Sequence, residues 1–370
     1  MTPLDELGLL LRPAGAGLHL VSSGRAEQEA LTRLLYGAAG DEEVRARFRE
    51  RLARLPAARA VLVGVPSDVG AGYVRGANLG PQAIRSRLLA DDPGWTGRAE
   101  RAGVLDLGDV PAVPQLLHDE MLSEAQLLAS RRALYPGLPA AEAARLPVSP
   151  LSLAERALSL ALSVNPRVAP VVLGGDHSCA WPAVRALAAV RPGLGIVQVD
   201  AHTDLLEERL GVRYCFGTWA FHANDLVGRA GRLVQVGIRA SRHDRAHWEE
   251  TLGVRQFWAA EVAADPARAL DAILGHVKAS GATSIYFSND VDGTDSTFAD
   301  ATGTPEPGGL MPGFEVELVR RLGREVGLAG ADVVEVAPQA ARTPGGAERT
   351  LAVAARYVRE TLAAILGEPV

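Results

Sequence analysis

Seven short runs of uniformly apolar residues recur along the chain, separated by longer stretches with helical spacing, and this pattern limits the fold more than any other feature. The runs are AVLVGVP (60–66), GVLDLGD (103–109), APVVLGG (169–175), GLGIVQVD (193–200), RLVQVGIR (232–239), TSIYFSND (283–290) and DVVEVAP (332–338). Most lack the apolar/polar alternation of a strand with one wet face, so they read as strands covered on both sides, the mark of a parallel sheet between helices. The stretches PARALDAILGHVKAS (266–280), FEVELVRRLGREVG (314–327) and ERTLAVAARYVRETLAAIL (348–366) place apolar residues at helical intervals. Pro81 suits a first helical turn, where its missing N–H would have no partner. The expected fold class is α/β: three layers, α/β/α, around a central mostly parallel sheet of about eight strands.

Residues 59–370 carry this pattern, whereas residues 1–58 form an N-terminal extension whose charged helix, DEEVRARFRERLARL (41–55), is expected to act as a cap or an oligomer contact. Residues 110–150, rich in Ala, Leu and Pro, are expected to pack locally. The two cysteines, Cys179 and Cys215, are too few for a disulfide framework or a four-thiolate metal site, and they fit a reducing, cytoplasmic location. A net charge of −6 without a polybasic cluster gives no footprint for nucleic acid or a membrane surface. No apolar run reaches the roughly eighteen residues of a membrane span, and the N-terminus lacks a basic secretory n-region. Small-molecule chemistry remains.

Three of the strands end in polar tips: GGDHS (174–178), DAHTD (200–204) and SNDVD (288–292). Ligands of open parallel sheets bind outside the carboxyl ends of the strands. The tips supply His177, Asp200, His202, Asp204, Asp290 and Asp292, all able to bind divalent cations. Residues at i and i+2 of an extended segment point the same way, so Asp200 with His202, and Asp290 with Asp292, can each converge on one point. Four aspartates gathered there would repel one another, and two divalent ions would cancel their charge. Taken alone, GGDHS reads equally well as a turn with a helix cap, and SNDVDGTDS as a solvated turn; an EF-hand-like calcium loop lacks its downstream bidentate Glu here.

At these residues, and at GVPSDVGAGYVRGANLGPQAIR (64–85), LDLGD (105–109), TGTPEPGGL (302–310) and DVVEVAP (332–338), the sequence resembles the ureohydrolases, the family of arginase and agmatinase, from about residue 59 onward. Agmatinases and guanidino-acid hydrolases are the most similar branch. The resemblance implies an arginase-like fold, assembly as a homo-oligomer (trimer or hexamer), and a binuclear centre of manganese, with nickel, cobalt or zinc as alternatives. One ion would be held by His177, Asp200, Asp204 and Asp290, the other by Asp200, His202, Asp290 and Asp292. Asp204 and Asp176 would serve catalysis, and Ser178 and Asp295 would orient ligands, although a helix cap is the plainer reading of Ser178. The expected reaction is attack of a metal-activated hydroxide on a guanidinium carbon, with Asp204 passing the proton to the departing amine and urea leaving.

The sequence departs from the family at two places. Where many members carry a histidine before Gly-Thr, this chain has Phe216, next to Cys215 and six residues before His222. Where relatives place a guanidinium-pairing glutamate it has Phe314, with Glu315 one residue on. These residues are expected to line a tighter, less polar pocket than arginine requires, taking another guanidino or amidine compound. Arg239 and Arg242 are read either as contacts for a substrate carboxylate or as structural salt bridges. The other readings are a non-catalytic, regulatory metal-binding relative, or a formimidoylglutamase- or deacetylase-type hydrolase.

Overall fold

The computed structural model describes residues 1–20 and 22–370. Its strands are β1 (Ala60–Val65), β2 (Val104–Asp109), β3 (Ala169–Gly174), β4 (Leu194–Val199), β5 (Leu233–Ile238), β6 (Arg255–Trp258), β7 (Ser284–Asp290) and β8 (Leu328–Val334). They form one sheet in the order β2-β1-β3-β8-β7-β4-β5-β6, and every neighbouring pair is parallel. Successive residues of one strand feed opposite layers: Val61, Val63 and Val65 join the core on one face, Ala60 and Leu62 the core on the other. This double burial is why the strand sequences show no polar alternation.

Two strands differ from expectation. β6 has only four residues, RQFW, and its polar edge character hid it. β8 begins at Leu328 rather than residue 332 and stops at Val334. Its first half, LAGA, has low strand propensity, but Gly330 is required there because a Cβ would come within 2.8 Å of the Pro170 carbonyl oxygen.

The N-terminal residues form three helices, α1 (Pro3–Leu10), α2 (Arg25–Tyr36) and α3 (Asp41–Ala53). Leu7, Leu10, Val44, Phe48 and Leu52 enter the same core as β1 and β2. Between α1 and α2 the backbone is fastened to the end of β2: Arg12 N–H donates to the Asp109 carbonyl at 2.7 Å, and Gly15 and Gly17 N–H donate to its carboxylate at 2.8 and 3.2 Å. The same carboxylate pairs with the buried Arg85 guanidinium, which also grips Asp106. No helix among the described residues is long and apolar enough to cross a membrane.

Candidate metal centre

The sheet order brings the polar tips together. β4 and β7 are neighbours with Val199 beside Asn289, so Asp200 and Asp290 leave the sheet side by side. β3 is separated from β7 by β8, and at the end of β8 Glu335 turns the chain with φ 60°. Its carboxylate accepts the His177 N–H at 2.9 Å, seating the histidine over the gap. Gly175, in the same turn, lies so close to the Ser67 backbone that no side chain fits.

The His177 ring is held from behind. Its Nε2 lies 2.9 Å from Ser288 Oγ, and the single Ser288 hydroxyl proton goes to the Asp332 carboxylate, 2.9 and 3.0 Å away. Ser288 therefore accepts from His177, which puts an imidazole proton on Nε2 and, in the neutral ring, leaves the lone pair on Nδ1. Tyr286 O–H at 2.6 Å and Asn289 N–H at 3.0 Å also donate to Asp332. On the open side, His177 Nδ1 is buried and makes no hydrogen bond, yet carboxylate oxygens of Asp200, Asp204 and Asp290 each lie 3.1 Å from it.

A second group adjoins the first. His202 Nδ1 is 3.1 Å from Asp292 and 3.5 Å from Asp200. The ligand atoms of His177, Asp200 and Asp290, and those of Asp200, His202 and Asp292, each lie within 4.8 Å of one another. Asp200 thus belongs to both groups. Asp290, expected in both, falls in the first: its Oδ2 faces His177 while Oδ1 accepts the Asp292 N–H at 2.9 Å.

The electrostatics describe a site built for cations. Burial, with Asp292 and Asp200 close by, pushes the Asp290 carboxyl well above its ordinary range. Burial and Asp200 raise Asp204 to about 6. Against the opposing effect of burial, Asp292 and Asp200 raise His202 to about 12, and the three carboxylates around His177 raise it as well. Without metal the cluster therefore holds protons. Orphaned Nδ1 lone pair, hard carboxylate oxygens and a shared Asp200 fit a pair of divalent ions better than they fit protons, because protons would satisfy only one contact each.

Several expected residues have other duties. Asp176 does not join the cluster: its oxygens accept Gly70 N–H at 3.0 Å and Ser178 N–H at 2.9 Å, clamping the loop after β1 to the turn after β3. The helix cap at this turn is Asp176, not Ser178. Asp295 fastens its own loop by accepting from Thr297 and from Gly309 N–H. Glu315 is buried against Thr294 (2.8 Å) and Asn289 (3.3 Å), and burial raises it to about 8. A one-residue shift does not restore the missing guanidinium partner: the carboxyl is neutral near pH 7 and turned inward.

Phe216 is half-buried beneath the Arg209 guanidinium, 5.2 Å from its ring centre, and Phe314 packs against the core. Cys215 is buried, its thiol pushed up by burial, and His222 bonds the Arg213 carbonyl at 3.1 Å. Neither replaces a proton-carrying histidine. Arg239 grips the backbone carbonyls of Asp292 (2.6 Å), Glu306 (2.9 Å) and Pro307 (3.1 Å), which is neither of the two duties expected of it.

The sequence reading missed Ser288, Asp332, Glu335 and Trp219. Ser288 was within reach, because it stands two residues before Asp290 on one strand and so shares its face. Glu335 and Asp332 lay inside a quoted motif, but nothing in DVVEVAP says which side chains turn to the site.

Comparison with known proteins agrees with this geometry. The Arginase family sequence model matches residues 58–364. Guanidinobutyrase of Pseudomonas aeruginosa is 31% identical over 295 residues, covering 77% of this chain and 81% of that protein. Proclavaminate amidinohydrolase of Streptomyces clavuligerus superposes with a TM-score of 0.63 at 29% identity, over 84% of this chain and 94% of that one. Arginase from Medicago truncatula gives a TM-score of 0.64 at 26% identity, over 92% and 98%. The chain belongs to the arginase family and is a metal-dependent amidinohydrolase.

Proposed function

We propose that the protein hydrolyses a linear C–N bond of a short guanidino compound, releasing urea, with two divalent ions held by His177, Asp200, Asp204 and Asp290 on one side and by Asp200, His202 and Asp292 on the other. The observation that carries the reading is His177 Nδ1, buried, without a hydrogen bond and facing three carboxylate oxygens at 3.1 Å. Manganese is the proposed metal, with nickel, cobalt and zinc compatible with the same donors. When bound, the ions supply the Lewis acidity that generates a nucleophile from water near neutral pH. Asp204 is the proposed base and proton carrier. Its Oδ2 is steadied by the Trp219 indole at 3.0 Å, which leaves the carboxylate oriented toward the cluster.

Phe216 and Phe314, standing where the family resemblance has a histidine and a glutamate, favour a substrate shorter than arginine. The relative named guanidinobutyrase is consistent with that class. A homo-oligomer, trimer or hexamer, in the cytoplasm completes the proposal, and the extension formed by residues 1–58 is its proposed subunit contact.

The test strips the protein of metal, reloads it separately with manganese, nickel, cobalt and zinc, and assays products from short guanidino acids, agmatine, arginine, guanidine and formiminoglutamate. The expected result is urea, formed fastest from a short guanidino acid. Fastest turnover of arginine or agmatine would overturn the narrow-pocket reading, formamide or acetate would replace the reaction class, and a metal-loaded protein inert on all of them would favour a regulatory role.

A further inference from the structure

Three fully buried glutamines lie abreast across the sheet: Gln198 on β4, Gln235 on β5 and Gln256 on β6. They form one chain of hydrogen bonds. Trp258 Nε1 donates to Gln256 Oε1 at 3.0 Å, Gln256 Nε2 to Gln235 Oε1 at 2.8 Å, Gln235 Nε2 to Gln198 Oε1 at 2.7 Å, and Gln198 Nε2 to Asp200 Oδ2 at 2.7 Å. An amide's O and N look alike in shape, but the two ends of this chain do not. An indole N–H only donates, and a carboxylate oxygen at Asp200 only accepts. A third constraint lies in the middle, where Gln235 Nε2 also donates to the Thr203 carbonyl at 2.6 Å. All three amide dipoles therefore point the same way, positive ends toward Asp200.

Stability alone does not call for this arrangement, since apolar residues could fill the same strand positions without buried amides that need partners. We infer that the Trp258–Gln256–Gln235–Gln198 chain is a positioning device for the shared carboxylate of Asp200. Gln198 fixes the carboxylate plane with Oδ2 toward His177, while the His202 N–H holds Oδ1 at 2.6 Å on the side of the second group. Gln235 at the same time straps down the loop that carries His202 and Asp204. Aligned amides polarise one another, so a change at the sheet edge reaches Asp200 through four hydrogen bonds.

The inference rests on the two-metal reading of the site, and manganese binding tests both separately. Metal-free full-length protein is titrated with Mn2+, and free ion is counted by its paramagnetic resonance signal. Gln198→Met and Gln235→Met, folded by circular dichroism, are expected to bind about 10- to 100-fold more weakly, the usual cost of losing a partner behind a metal ligand. Trp258→Phe, which removes a single N–H at the edge strand, is expected to shift affinity in the same direction by less. A purely structural role would lower the melting temperature and leave the affinity of the folded protein where it was. Unchanged affinity in folded Gln198→Met overturns the inference, and if the glutamine variants do not fold, unchanged affinity in Trp258→Phe does so. Failure of the unaltered protein to bind Mn2+ overturns the reading of the site beneath it.

Discussion

The Trp219 indole donates to Asp204 Oδ2 at 3.0 Å, and that same oxygen lies 3.1 Å from His177 Nδ1. The indole also leans against the His177 ring, 4.6 Å between centres. One aromatic side chain thus sets the position of a histidine and a carboxylate that arrive from different strands.

Removing that donor should move metal uptake along the pH axis. The N–H bond favours the charged form of Asp204, whose carboxyl sits at about 6. In Trp219→Phe the carboxyl rises further, protons compete with the cation up to a higher pH, and the midpoint of Mn2+ loading against pH shifts upward. Equilibrium dialysis across a pH series measures it.

His202 belongs to the second group only. His202→Ala is expected to bind one ion per chain where the unaltered protein binds two, counted by atomic absorption after desalting, with turnover falling by at least about a hundredfold.

Ser288 touches none of the cluster's carboxylates but fixes the His177 tautomer. Ser288→Ala frees the ring to place its proton on Nδ1, and Mn2+ affinity should fall about 10- to 100-fold with little change in unfolding temperature. Calorimetric titration alongside a thermal melt separates the two effects.

Glu315 gives the fold a pH dependence of its own. Burial keeps its carboxyl protonated up to about 8, whereas the unfolded chain releases that proton near the ordinary glutamate value. Between those limits stability falls as pH rises, by up to about 1.4 kcal/mol per unit. Glu315→Gln removes this slope, so the variant should gain on the unaltered protein from about pH 5 to about pH 8 in urea denaturation.

Phe216 offers no proton. Phe216→His is expected to raise kcat severalfold, with an added ascending limb near pH 6.5, the ordinary histidine value, in the rate profile. An unchanged profile would show that turnover does not wait on proton transfer from this loop.

Much of this was legible before any coordinates. Uniformly apolar runs gave the buried parallel sheet, and DAHTD and SNDVD stood out as its polar tips, but the i, i+2 rule does not carry over: Asp200 and His202 follow the end of β4, and a 3-10 turn after Asp290 sends Asp292 to the other group. What escaped was governed by contacts across strands. RQFW carries no strand signal unless β5 is already beside it, and the glutamine chain exists only because β4, β5 and β6 lie in register. The inward turn of Glu315 depends on Thr294 and Asn289, distant in sequence. The clamp at Asp176 was invisible for a related reason: its partner Gly70 lies on a loop 106 residues away.

Asp204 adopts a left-handed backbone, φ 51°, a conformation that costs a residue with a Cβ about 1–2 kcal/mol. The fold holds that kink so that the chain, having left β4 at Asp200, doubles back and returns its carboxylate to the histidine. Because the expense is met during folding, arriving cations find their cage already assembled, and little of their binding energy is diverted into ordering the loop.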